Sequence, residues 1–262
     1  MTIQLYFSIV SFIFGAVVGS FLNVCIYRMP KGESVVSPPS HCPNCDYRIR
    51  WYDNIPLCSY LLLRGKCRGC GTHISLQYPL VELLNGVLTL ALFLRFGPTL
   101  SFLVLFLFCS ALVVITFIDL EHQIIPDEIS LSGIVAGFFF SFFLQGHSWL
   151  NSLLGILLGG GILLLVASSY QWLTGKEGMG GGDIKLLAMM GAFLGWKSVL
   201  FILFASSLIG SVVGITMMLV QNKDSKLAIP FGPYLASAAV LYIFYGRQLI
   251  NWYLNLSGPS RG

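Results

Sequence analysis

Four acids crowd residues 118–128 (IDLEHQIIPDE): Asp119, Glu121, Asp127 and Glu128, with no Lys or Arg among them. Another, Asp183, follows the run Gly180-Gly181-Gly182. A carboxylate beside hydrocarbon is costly, so an acid at a membrane edge marks function by default. Asp119 is such an acid, because it directly follows the apolar residues 111–118. If Asp119 and Asp183 meet, repulsion raises the pKa of one, so that one carboxylate activates a water while the other carboxyl donates to a carbonyl. That is peptide hydrolysis by a carboxyl pair. Other roles are open to the same acids. Pro126 is suited to begin a helix with Asp127 and Glu128 in its first turn, and Asp183 is a good N-cap. Glu121 and Glu128 are either solvated loop residues or, with Asp127, an acidic rim that attracts a basic segment of a substrate. Gly180 and Gly182 permit close backbone approach beside Asp183. Lys185 either tunes Asp183 or meets lipid phosphate. Residues 178–185 match neither the P-loop nor the dinucleotide pattern.

A second chemistry lies in Cys42-Pro-Asn-Cys45 and Cys67-Arg-Gly-Cys70, two CxxC pairs with 21 residues between them. This is close to the spacing of a four-thiolate zinc site. Four protein ligands leave no open position, so the metal is structural, and it supplies folding energy that a small module lacks. His41 and His73 flank the pairs as bystanders, while a reducing compartment disfavours disulfides. Cys25, Cys58 and Cys109 have no partner at metal spacing and are expected to pack as small apolar groups.

These groups must be held by membrane helices. Of 262 residues, 56% are hydrophobic and 10% charged, against roughly a quarter charged in soluble domains. Runs at about 5–27, 79–96, 99–118, 129–145, 149–173, 184–196, 198–220 and 229–255 predict an all-α polytopic membrane protein of about eight spans. The first run has no basic n-region and is too long for a signal peptide, so it is a retained helix. With the N-terminus outside, 11 of the 15 basic residues, Lys223 and Lys226 among them, fall on the inner side and 4, including Arg261, outside, as the positive-inside rule requires. Asp119 and Asp183 then share the inner face. Three domains follow: a first helix over 1–27, a cytoplasmic four-cysteine module over 28–78, and a membrane domain over 79–262. The net charge of +4 is scattered, without the basic aromatic-interleaved stripe of a nucleic-acid binder. Membrane lipid, not nucleic acid, is the expected environment.

Several strings together resemble the type IV prepilin peptidases, or leader peptidases, over essentially the whole chain. They are 19–30 (GSFLNVCIYRMP), both CxxC pairs, 54–56 (NIP), 78–82 (YPLVE), Asp119 with 125–127 (IPD), 175–187 (GKEGMGGGDIKLL) and 229–234 (IPFGPY). The GxGD tetrad at 180–183 alone would also match other intramembrane aspartic proteases. The resemblance implies removal of the short basic leader of prepilins or pseudopilins on the cytoplasmic side of the bacterial inner membrane, with Asp119 and Asp183 catalytic. It also implies N-methylation of the new terminus by S-adenosylmethionine, an activity that accompanies the cysteine module in this family. Residues 29–41 are fewer than in longer members, a departure that removes none of the motifs named. Asn23 and Arg28 are expected to pack and to anchor the first helix at the boundary, Glu82 to serve methyl transfer or pair with the basic module, and Pro230 and Pro233 to shape the start of the last helix.

Two other classes are compatible with acids at a membrane edge. A presenilin-type protease carries its first acid in a Tyr-Asp setting, unlike Ile118-Asp119. A proton- or cation-coupled transporter would show ion-coupled uptake and no prepilin cleavage.

Overall fold

The structure is a computed structural model in which residues 2–144, 148–176, 180–221 and 230–257 are described. Among these residues it is helical without strands. The helices are α1 (Thr2–Arg28), α2 (Cys58–Leu62), α3 (Gln77–Phe96), α4 (Leu100–His122), α5 (Asp127–Phe140), α6 (Trp149–Thr174), α7 (Gly181–Leu194), α8 (Trp196–Gln221) and α9 (Gly232–Ser257). Five are long and apolar enough to cross a membrane: Ile3–Lys31, Gln77–Phe96, Leu100–His122, Trp149–Thr174 and Trp196–Val220. Three of the eight expected spans fall outside this set. Helices α5 and α7 have 14 residues each, about 21 Å of helix against a hydrocarbon core of about 30 Å. Helix α9 is long enough, but Arg247, Gln248 and Asn251 dilute its apolar character. Lys223, Lys226, Arg261, Ile229 and residues 177–179 of the expected motifs lie outside the described residues.

The chain divides into two compact units, Met1–Ile118 and Asp119–Gly262. In the first, α1 packs lengthwise against α3. Gly15 and Gly19 on α1 bring the backbone of α3 within reach, since a Cβ at Gly19 would stand 2.8 Å from the Glu82 Cα. Asn85 uses that proximity: its Nδ2 donates to the Gly15 carbonyl at 2.7 Å, and its Oδ1 accepts from Ser110 Oγ at 3.0 Å. Small residues and buried amides of this kind hold membrane helices together where the hydrophobic effect cannot. Asn23 joins the same seam by donating to the Tyr78 carbonyl at 3.1 Å, the packing role expected of it.

In the second unit α7 is the central element, packed by α5, α6, α8 and α9. Its residues Leu186, Leu187, Ala188, Met189, Met190, Gly191, Ala192 and Phe193 are all buried. Such an all-round apolar helix belongs inside a bundle. Contact with α6 is made through glycine: Gly155 and Gly191 face each other so closely that a Cβ on either would overlap the other's backbone carbonyl. Gly159 extends the seam, with a Cβ placed there 2.6 Å from the Leu187 carbonyl oxygen, whereas Gly161 faces open space. Substituting Gly191→Val is expected to destabilise the second unit by about 3 kcal/mol or more, seen as loss of monodisperse protein after detergent extraction. Gly161→Val at the open position leaves extraction yield unchanged.

Candidate active site

Asp119 ends up in the last turn of α4, and only 5% of it is exposed. The first residue of α9 supplies its partner: the Gly232 N–H donates to Asp119 Oδ2 at 2.9 Å. The first four N–H groups of a helix lack intrahelical acceptors and sit at the positive end of its dipole, so the start of α9 offers an anion-receiving amide. Gly232 must be glycine for this approach, because a Cβ there would stand 2.6 Å from Asp119 Oδ2. Sequence reasoning singled out Pro230 and Pro233 in this string and missed the glycine between them. A glycine next to a proline at a helix start, opposite a buried acid, was the available signal.

Asp183 is the third residue of α7, and Gly180 occupies the N-cap position. The N-cap role expected for Asp183 is therefore replaced. A Gly N-cap offers no side chain for the orphan amides, and Asp183 keeps its carboxylate for other uses. That carboxylate makes no hydrogen bond or ion pair among the described residues. Partial burial, and then the negative charge of Asp119, push its carboxyl up to about 6. It stands one residue ahead of the expected span 184–196. Of the adjacent glycines, Gly182 meets the 119–127 connection, a Cβ there standing 2.9 Å from the Ile125 Cβ, while Gly180 has only ordinary contact with Asp183 Oδ2 at 3.8 Å.

Lys185 reaches neither Asp183 nor open solvent alone: its Nζ donates to both Asp127 oxygens at 2.7 and 2.8 Å. The bond joins the first turns of α5 and α7. Asp127 and Glu128 lie in the first turn of α5 as expected, with Pro126 at its N-cap rather than inside it. Glu121 and Glu128 are exposed, Glu121 having only a 3.8 Å approach to His122. Because the Lys185–Asp127 pair is solvent-accessible, its net worth is about 1 kcal/mol or less. Lys185→Met is expected to lower the thermal midpoint of the purified protein by only a few degrees.

In the first unit the four sulfurs of Cys42, Cys45, Cys67 and Cys70 lie within 4.8 Å of one another, and all four cysteines are free thiols. Cys42 and Cys70 are 3.9 Å apart at sulfur, Cys45 and Cys67 4.0 Å. A tetrahedron with metal–sulfur bonds of ~2.3 Å has edges of ~3.8 Å, so the donor set fits a tetrahedral thiophilic ion. Two knuckles of the same design make it. The Cys42 amide donates to the Tyr47 carbonyl and the Asp46 amide returns to Cys42. The Cys67 amide donates to the Thr72 carbonyl and the Gly71 amide returns to Cys67. Asp46 and Gly71 take the left-handed conformation at matching positions, a short structural repeat invisible as sequence identity. Hydrogen bonding to the Thr72 side chain and backbone, with a further bond from Asn44, holds the Cys70 thiol down at about 6. His41 and His73 lie outside the sulfur cluster.

The partners of Arg28 and Glu82 were not legible in the sequence. Arg28, in the last turn of α1, is 6% exposed, and its guanidinium clamps a loop, donating to the Ser34 carbonyl at 2.9 Å and the Pro38 carbonyl at 2.8 Å. Glu82 has no salt bridge among the described residues; its Oε2 accepts from the Leu57 amide at 2.8 Å.

Comparison with known proteins gives two family matches, the bacterial peptidase A24 N-terminal domain over residues 13–96 and the type IV leader peptidase family over residues 106–215. A protein of Aeromonas hydrophila named prepilin leader peptidase/N-methyltransferase is 40% identical, over 95% of this chain and 94% of its own length. Proteins of the same name from Pseudomonas aeruginosa (36% identical, 97% and 96% covered) and Myxococcus xanthus (42%, 83% and 65%) also match. No solved structure matches. With two-unit coverage at these identities, the chain belongs to the type IV leader peptidase family, a family of membrane enzymes.

Proposed function

We propose that the chain is an aspartic endopeptidase of the bacterial inner membrane that removes the basic leader from prepilins or pseudopilins at the cytoplasmic face and then N-methylates the new terminus. What supports the protease is that Asp119 and Asp183 both lie in the second unit and that, after burial, the negative charge of Asp119 raises the Asp183 carboxyl. In this mechanism Asp119, held by the Gly232 amide, takes a proton from water, and the water oxygen adds to the scissile carbonyl carbon. Asp183 in its protonated form donates to the carbonyl oxygen; on collapse Asp119 gives its proton to the amine nitrogen, the C–N bond breaks, and Asp183 recovers its proton from the hydroxyl as the carbonyl reforms. A carboxyl still protonated near pH 6 is what such a donor needs.

The exposed acids Glu121 and Glu128 receive the basic leader. Asp127 contributes less than expected, since Lys185 already pairs with it. Double substitution Glu121→Gln and Glu128→Gln is expected to raise KM several-fold at low ionic strength with kcat preserved. The difference shrinks above physiological salt, where exposed charges are screened beyond about 8 Å. Equal KM at low salt would remove the acids from leader binding.

The chain is organised as a first helix over 1–27, a cytoplasmic module over 28–78 and a membrane domain over 79–262, with about eight of its helices in the membrane. Cys42, Cys45, Cys67 and Cys70 hold a structural Zn²⁺, which supplies folding energy to the module. S-adenosylmethionine supplies the methyl group. Co-expression with candidate prepilins, followed by mass measurement of the processed N-terminus, tests both reactions: loss of the leader reports cleavage, and one added methyl group reports transfer.

A further inference from the structure

Within the first unit a cavity of about 650 Å³ opens where the end of α1 faces the cysteine module. Its size lies in the range of small-molecule sites, about 300–1,000 Å³. Val24, Val36 and Ile55 give it apolar walls, Trp51 and Asn54 border it, and Arg28 is its single charged lining residue. Arg28, Asn54 and the turn that bears Trp51 are each held by contacts within the first unit.

Arg28 spends one N–H of each terminal nitrogen on the carbonyls of Ser34 and Pro38, and a guanidinium carries five. The remaining donors belong to a side chain only 6% exposed, a built anion-recognising group. Asn54 is oriented by accepting from Ser20 Oγ at 3.2 Å. The Trp51 indole, by contrast, is 80% exposed, an unusual state for the largest apolar side chain. It is not on a loose loop. The neighbouring Asp53 carboxylate, 4% exposed, pairs with Arg68 of the second knuckle at 2.7 Å and accepts from Tyr47 of the first at 3.2 Å. Both knuckles therefore fix the three-residue turn that presents Trp51.

We infer that this cavity binds the methyl donor, a nucleoside sulfonium amino acid, with Trp51 stacking on the flat base or facing the sulfonium and Arg28 receiving the carboxylate. An indole face attracts both a planar heterocycle and a cation, and the guanidinium is matched to a carboxylate. In the transfer, the new terminal amine, having given a proton to solvent water, attacks the methyl carbon. The N–C bond forms, the C–S bond breaks, and its electron pair returns to sulfur to leave a neutral thioether. The cysteine module then acts in methylation by positioning Trp51, without its metal touching either substrate. This inference rests on the methyl-transfer half of the proposed function and is independent of Asp119 and Asp183.

The test is equilibrium binding of radiolabelled S-adenosylmethionine to the full-length protein in nanodiscs, comparing wild type with Trp51→Ala and with Val24→Trp, which fills the cavity. Both variants are expected to weaken binding by about tenfold or more, with prepilin cleavage, the folding control, retained. Wild-type affinity in both variants overturns the assignment. So does binding that is displaced by anionic lipid headgroups rather than by the demethylated donor, which would make the cavity a lipid site. A wild type that cleaves but never adds a methyl group fails the methyl-transfer reading itself, a result distinct from loss of binding in the variants alone.

Discussion

Asp119→Asn and Asp183→Asn are each expected to lower kcat/KM for prepilin cleavage by at least about 10³-fold, measured on full-length substrate in detergent. A paired general acid and base act as a unit, so the double variant loses little more than either single one. The two single variants part company in stability. Asp183 titrates near 6 in the folded protein, above its ordinary value of 3.8, so the folded state binds its proton more tightly than the unfolded state does. Stability is then greatest below about pH 4 and declines as pH rises toward 6, leaving a penalty at neutral pH. Asn carries no charge to desolvate or repel. Asp183→Asn should therefore raise the thermal midpoint at pH 7.5, with the gain disappearing near pH 4. An inactive but stabilised variant is the signature of a site whose electrostatics oppose folding. Full activity in either single variant sinks the dyad, and a fall in midpoint for Asp183→Asn at pH 7.5 contradicts the burial argument.

Gly232→Ala should be nearly as damaging, although it alters no ionisable group. The added methyl would stand 2.6 Å from Asp119 Oδ2, well inside van der Waals contact. Either the carboxylate rotates away or the start of α9 retreats, and both outcomes break the 2.9 Å bond from the Gly232 amide. A displacement of about 1 Å in a catalytic group costs roughly 10²-fold in rate, so kcat should fall by about that factor while KM for the prepilin changes little. Ala is a better helix former than Gly, and at an exposed N-terminal position it would be neutral or favourable to stability. Wild-type kcat in Gly232→Ala would show that the amide does not position Asp119. Gly181→Ala is the matched control, since a Cβ at Gly181 meets nothing within 4 Å.

The cysteine site was readable because metal ligation is local. Two CxxC pairs at the right separation already name a tetrahedral thiolate set, and the structure added only the matching knuckles and the Thr72 bond that favours Cys70 ionisation. Long apolar runs were equally readable, since crossing hydrocarbon demands length and composition and little else. The shorter elements were not. Helices α5 and α7 are apolar, but at 14 residues each they give about 21 Å of helix, roughly two-thirds of the hydrocarbon thickness.

Side-chain partners were the least legible. Lys185 sits two residues from Asp183 in sequence yet pairs with Asp127, because residues two apart on a helix point to different sides. Nothing in the spacing of Arg28 pointed to the loop carbonyls of Ser34 and Pro38 that it holds. Asp183 looked like an N-cap and lies inside its helix.

The two acids themselves show where the division falls. Sequence alone determined that carboxylates would stand at the ends of apolar helices, that four thiols would gather, and which family's motifs surround them, because those properties depend on composition and short spacing. Only the tertiary structure decided that Asp119 would receive an amide from a helix start more than a hundred residues away and that Asp183 would be left without a hydrogen-bond partner among the described residues. The physical reason is that hydrogen bonding and desolvation depend on which backbone ends are brought together, and packing through glycines such as Gly155, Gly191 and Gly232 sets that juxtaposition.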